Sequence, residues 1–392
     1  MPAIDAVDFF YLSMPRVEDI GDGSQDALLV RVAAGGEFGW GECEASPLVS
    51  IASFVCPLSH SACHPLADSV LGQSLNDPGD IDRIGRLVRA RSQDVLQAAH
   101  TFAGIDMALW DLMGKRLGEP VWRLLGFTSA APKLPYASRL FGDSPAETLA
   151  KANEVRALGY RAAKFGWGPF GAGSVADDVD HLHAAREGLG PDGILLIDAG
   201  TIWVEDVERA ALVLPALNEV FATWLEEPFV TGAHGAYAAL AERSGRVKLA
   251  GGEGSHNLYM AKQMIDDAKI SFVQIDAGRV GISISKEIAD YAHARGVTYV
   301  NHTFTSNLAL SASLQPYAGY ADATLCEYPV DIKPVARAIT VDSILPDTSG
   351  MIRVPDAPGL GVTVDPMLWG PYLQDIEIKA GGRTLYRTPG LG

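Results

Sequence analysis

GILLIDAG (193–200), FATWLEEP (221–228), VKLAGGE (247–253), FVQIDAG (272–278) and VTYVNHT (297–303) repeat one pattern, a short apolar run that ends in an ionisable side chain. Runs of this length, rich in Val, Ile and Leu and bounded by Gly or Pro, read as buried strands. The texture continues outward, with KLPYASRL (133–140) and RAAKFGW (161–167) before them and ATLCEYP (323–329) after. The intervening segments, such as HGAYAALAERSG (234–245) and SKEIADYAHARG (285–296), place Ala, Leu, Glu and Arg at helical periods. Eight strands at this pitch, joined by helices, are what a (β/α)₈ barrel requires. A doubly wound sheet is the competing α/β arrangement, but no GxGxxG opens the first helix.

The flanks differ. DALLVRVAAGGEFGWGEC (26–43) reads as two strands around Ala34-Gly35-Gly36. Residues 46–76 read as a long loop with Pro, Ser and His. Residues 80–125 are helical in pattern, with Gly118 and Pro120 as stop signals. Residues 1–130 are therefore expected to form a small α+β unit, 131–332 the barrel, and 333–392, rich in Pro and Gly, a return of the chain to the first unit.

Of the 392 residues, 48% are hydrophobic and 20% charged, enough to bury a sizeable core. A net charge of −17 argues against nucleic acid or an anionic membrane as partner and leaves carboxylates to spare for a cation. Four cysteines without regular spacing, no signal-like N-terminus and no run of about 20 apolar residues point to the cytoplasm.

The strand-end residues are Asp198, Glu226, Glu253, Asp276, His302 and Glu327, at spacings of 28, 27, 23, 26 and 25 residues. One βα unit is about 30 residues or fewer, so all six fall at the C-terminal mouth, where barrels place their chemistry. Acids on adjacent strands make an oxygen-rich cation site suited to Mg²⁺. Asp276 beside His302 suggests a dyad in which the carboxylate fixes the ring tautomer and raises the basicity of its other nitrogen.

With WLEEP, GGE, QID and NH behind a cap ending ALWDLMGKRLGEPVWRLLG, and the tail PDAPGLGVTVD, the chain resembles the mandelate racemase/muconate lactonizing branch of the enolase superfamily, in its mandelate racemase subgroup. The resemblance implies a modified TIM barrel, (β/α)₇β, with an α+β cap domain formed by the N-terminal region and the C-terminal tail. It implies Mg²⁺ held by Asp198, Glu226 and Glu253, a His302–Asp276 dyad, and Glu327 donating a hydrogen bond to a substrate carboxylate. Strand alternation lets only one of Glu226 and Glu227 face inward, and the family pattern selects Glu226. A homo-oligomer, dimer or octamer, is also implied.

One departure bears on mechanism. The family ends its second strand with Lys-x-Lys, the second Lys serving as a base. Here, in GYRAAKFGWG, Lys164 matches the first Lys and Gly166 replaces the second; a two-residue shift would instead make Lys164 the second. A lost base favours dehydration of a hydroxy-acid, such as a sugar acid, over racemisation. If Lys164 is itself the base, racemisation, epimerisation or lactone cycloisomerisation returns, and a non-catalytic barrel is the reading from another class. Ser46, His60 and Trp167 are candidate substrate contacts, each weighed against an ordinary loop or strand-end residue. Cys56, His60, Cys63 and His64 form a cluster that could take Zn²⁺, though not at a usual structural-zinc spacing.

Overall fold

The computed structural model describes residues 2–44 and 46–391. Three antiparallel strands open the chain: β1 (Ile4–Ser13), β2 (Asp26–Ala34) and β3 (Glu37–Cys43). The hairpin turns at Gly35 and Gly36, both at positive φ. The helix Ala98–Leu117 lies on β3 and against the helix Ala277–His293. Being covered on several sides, it is apolar nearly all round and ends at Gly118 in the left-handed conformation.

Residues 46–76 are less irregular than the sequence suggests. Pro47–Val55 is a helix, started by Pro at its first turn and anchored by buried Ile51 and Phe54. Its small residues and lack of a side-chain cap hid it from pattern reading.

Eight parallel strands follow: β4 (Leu134–Leu140), β5 (Ala162–Gly166), β6 (Ile194–Asp198), β7 (Ala222–Glu226), β8 (Lys248–Gly251), β9 (Phe272–Asp276), β10 (Thr298–His302) and β11 (Leu325–Pro329). They pair in the order β10-β9-β8-β7-β6-β5-β4-β11. The ladder is thus nearly closed, and the seam between β10 and β11 is stitched by a side chain. The Asn301 amide donates to Glu327 O at 3.3 Å and accepts from Glu327 N at 2.9 Å and from Tyr317 OH at 2.9 Å. Inside the barrel, Tyr136, Leu196, Trp224, Ala250 and Val300 fill the lumen, so it is a packed core rather than a pore. At its floor, buried Lys133 donates to the carbonyls of Tyr317, Tyr320 and Ala323 at 3.1, 2.7 and 2.8 Å.

The tail runs back to the first sheet. Trp369 packs on Phe10 and Trp40, with ring centroids 5.3 and 6.2 Å apart, and Tyr386 donates to Phe9 O from the last hairpin, β12 (Glu377–Ala380) and β13 (Arg383–Arg387). No helix among the described residues is long and apolar enough to cross a membrane.

Candidate active site

Strand ends fix the side chains. Gly166, Asp198 and Glu226 are in register at the tips of β5, β6 and β7, while Asp276 and His302 are paired at the tips of β9 and β10. Glu253 lies just past β8, Lys164 two residues before Gly166 on the same face, and Glu327 within β11. Lys164, Asp198, Glu226, Asp276, His302 and Glu327 are all buried. A cavity of about 230 Å³ at the mouth is lined by Lys164, Asp198, Glu253 and His302 of this group, and by Glu44, Ser138, Trp167 and Arg279.

His302 faces the centre of this group. Its Nδ1 lies 2.6 Å from Asp276 Oδ2 and its Nε2 2.7 Å from Glu253 Oε2. Asp276 Oδ1 accepts from Gly278 N at 2.5 Å, which fixes the carboxylate's own orientation. Burial works against a charged ring, yet Glu253 and Glu327 hold the imidazolium well above the usual histidine range.

Lys164 Nζ is 2.7 Å from both Glu226 Oε1 and Glu327 Oε1, and 3.9 Å from Asp198 Oδ2. Burial opposes the ammonium, but these carboxylates keep it protonated. Glu327 Oε1 also accepts from Ser138 Oγ at 2.7 Å, and its Oε2 from Thr303 N at 3.0 Å. The resemblance makes Glu327 a donor; here both of its oxygens accept, because a lysine, a serine and a backbone amide all aim at it.

The alternation argument for a single inward Glu holds only to the end of β7. Glu227 takes φ 39° and turns the chain, so its carboxylate is buried too and accepts from Gly252 N at 3.3 Å. Burial, then Glu253 and Asp198, push its pKa up to about 8. Burial, with Glu253 and Glu327 adding to it against Lys164, raises Asp198 to about 6. Buried carboxylates that oppose one another's ionisation form an all-oxygen donor set, and its chemistry fits a hard divalent cation such as Mg²⁺. The rotamers seen do not converge on one point: among the described residues no three His, Cys, Asp or Glu side chains form a ready-made metal site. Glu226 is turned onto Lys164 and Glu253 onto His302. Seating a cation requires both to swing toward Asp198.

Other expected residues lie elsewhere. Trp167 borders the cavity in the left-handed region, φ 57°, its side chain against Gly21 and Gly200. Ser46 precedes the helix Pro47–Val55 and His60 sits on an exposed loop with Nε2 3.4 Å from Asp94; neither lines the cavity. The four-residue Cys/His cluster is dispersed: His64 Nδ1 contacts Asp68 at 3.1 Å and Arg91 at 3.0 Å, and Cys56 and Cys63 are free thiols. The rings turn to other partners, His60 to Asp94 and His64 to Asp68 and Arg91.

Sequence reasoning missed Ser138, Glu227, Glu44 and Arg279.

Two family models match the chain. Residues 147–368 match the family described as enolase C-terminal domain-like, and residues 20–126 the mandelate racemase/muconate lactonizing enzyme N-terminal domain. The chain belongs to the enolase superfamily, in the mandelate racemase/muconate lactonizing enzyme branch. It is 29% identical over 353 residues to a D-galactarolactone cycloisomerase of Agrobacterium fabrum, covering 84% of this chain and 86% of that one. It is 30% identical over 321 residues to a D-galactonate dehydratase of Ralstonia nicotianae, covering 79% and 82%. A crystal structure of a predicted mandelate racemase from Rhodobacter sphaeroides superposes with a TM-score of 0.96 at 58% identity, covering 100% of both chains.

Proposed function

We propose that the protein is a Mg²⁺-dependent acid-sugar dehydratase, with His302 as the general acid–base. The observation that carries this reading is the His302–Asp276 pair at 2.6 Å, facing the acid cluster while Gly166 stands where a second base would be. Asp276 holds the ring so that Nε2 points into the cavity. A substrate bound there displaces Glu253 from Nε2; the imidazolium, having lost its nearest anion, releases its Nε2 proton to solvent, and the neutral Nε2 then takes the proton α to the substrate carboxylate. The same nitrogen then returns that proton to the β-hydroxyl, which leaves as water, and the resulting enol becomes a 2-keto acid.

Asp198, Glu226 and Glu253, with Glu227 beside them, would hold Mg²⁺, which when bound supplies positive charge that lowers the cost of the carboxylate's enediolate form. Lys164 acts as a fixed positive charge. Both nearest carboxylates are 2.7 Å from its nitrogen, which supports a charged, positioning role over that of a base: it stays paired with Glu327 when Glu226 swings toward the cation.

Lactone cycloisomerisation is the second reading, supported by the relative from Agrobacterium fabrum. It shares the first proton abstraction but expels a lactone carboxylate. Racemisation needs bases on both faces of the enediolate; in this reading Lys164 stays paired with Glu327 and His302 alone is the base. The test is a panel of sugar acids and sugar lactones with Mg²⁺ in D₂O. A 2-keto acid product from an open-chain acid supports dehydration. Turnover of lactones alone would favour cycloisomerisation, and deuterated or epimerised acid without elimination would reject both.

A further inference from the structure

Where the cap chain crosses the rim of the barrel, Glu44 follows directly on β3 and Arg279 sits in the first turn of the helix after Asp276. The guanidinium grips Glu44 side-on, Nε to Oε2 at 2.7 Å and Nη2 to Oε1 at 3.2 Å. Its remaining nitrogen reaches Glu253, with Nη1 3.0 Å from the backbone O and 3.5 Å from Oε1. The pair is mostly shielded, with side-chain exposures of 18% and 19%. The backbones touch as well. Glu44 N donates to Gly278 O at 3.0 Å, and a Cβ on Gly278 would stand 2.7 Å from Glu44 Cβ. Next to this contact, His100 of the cap and His256 of the loop after β8 meet at 2.9 Å.

Neither the dyad nor the lysine explains why a mostly shielded arginine sits in the single turn before the kink at Gly281. Glu44 and Glu253 together do. One planar fork serves two carboxylates from two parts of the chain, a geometry a lysine cannot reproduce. We propose that Arg279 is a positioning residue that latches the cap to the barrel through Glu44 and, with the same guanidinium on the Glu253 carbonyl, fixes the Glu253 backbone at the mouth, from which its side chain swings to the divalent cation. This rests on the reading of Glu253 as a metal ligand. Partners of metal ligands commonly contribute 10- to 100-fold in affinity. The proposal gives Arg279 no contact with the reacting atoms or the cation; its effect runs through Glu253.

The test uses the full chain and two readouts that do not depend on turnover. Mn²⁺ binding is followed by electron paramagnetic resonance, and amide hydrogen exchange is followed at residues 46–50 and 254–257. Arg279→Met is expected to weaken Mn²⁺ binding about 10- to 100-fold and to speed exchange in both segments. Glu44→Gln is expected to speed exchange at 46–50 while weakening Mn²⁺ binding clearly less than Arg279→Met does, because Nη1 still holds Glu253. Arg279→Lys, which keeps the charge if the methionine variant fails to fold, should fall between them. Wild-type Mn²⁺ affinity in Arg279→Met, or in Arg279→Lys where that is the variant that folds, would overturn the proposal. So would equal losses in Glu44→Gln and the arginine variant. If the wild type itself binds no Mn²⁺, the metal reading fails and takes the Glu253 half of the proposal with it. The exchange data then decide the latch alone, and unchanged protection at 46–50 would end that too.

Discussion

Gly166 closes β5 directly against Asp198 of β6: a Cβ at residue 166 would lie 2.7 Å from both Asp198 Cβ and Asp198 Oδ2. The missing side chain is therefore a requirement of packing as well as a missing base. Gly166→Ala must push Asp198 aside, and overpacking of this kind typically costs about 1–3 kcal/mol. The expected outcome is lower stability in urea unfolding together with weaker Mg²⁺ dependence. An alanine variant as stable and as Mg²⁺-responsive as the wild type would show that Asp198 has room to spare.

Lys164→Met strips the cation that lies between Glu226 and Glu327. Removing one partner of a buried ion pair costs about 3–5 kcal/mol, since the remaining charges stay buried. Urea unfolding at pH 7 should show a loss of that order, and turnover should vanish. A loss below about 1 kcal/mol would mean that the carboxylates are already neutral.

Asp198→Asn should separate stability from function. In EDTA the variant is expected to melt a few degrees higher than the wild type, because one of several mutually repelling buried anions is gone. With Mg²⁺ at about 100 times its dissociation constant, the wild type should gain about 2.7 kcal/mol and the variant almost nothing. Thermal melts with and without Mg²⁺ check both halves.

Lys133 gives a pH signature far from the mouth. Burial lowers its pKa to about 8, so between roughly pH 8 and the unfolded value near 10.4 the unfolded chain binds more protons than the native one. Its contribution to stability is therefore complete above that window and is lost as pH falls through it. Relative to Lys133→Met, the wild type should gain up to about 1.4 kcal/mol per pH unit from pH 8 to 10. Paired urea titrations at pH 8 and pH 10 measure this, and a difference that does not change with pH would mean the ammonium pKa is not depressed.

The barrel was legible because its strands are short apolar runs, several with an ionisable residue at or just past the end, and every one of the eight falls where the runs place it. The helix Pro47–Val55 was not, since Ser50, Ala52 and Ser53 blur its apolar face. Within the site, residues on strands could be placed by period and spacing: Asp198, Glu226, Asp276 and His302 all sit at strand tips. Residues beyond the strands escaped that logic. Glu227 faces inward only because its backbone leaves the strand geometry. Glu44 and Arg279 meet across 235 positions of sequence, a separation no local pattern reports. His60 and Ser46 failed for the converse reason, since a loop's proximity in sequence to the cap says nothing of where its side chains turn.

The most direct test of the dyad is α-proton exchange in D₂O with Mg²⁺ and a turned-over sugar acid or lactone, comparing wild type, His302→Asn and Asp276→Asn by ¹H NMR. The expected result is α-proton abstraction in the wild type, none in His302→Asn and a severely slowed rate in Asp276→Asn, all three remaining folded. Undiminished abstraction by His302→Asn would contradict the assignment and move the base to another residue of the cavity.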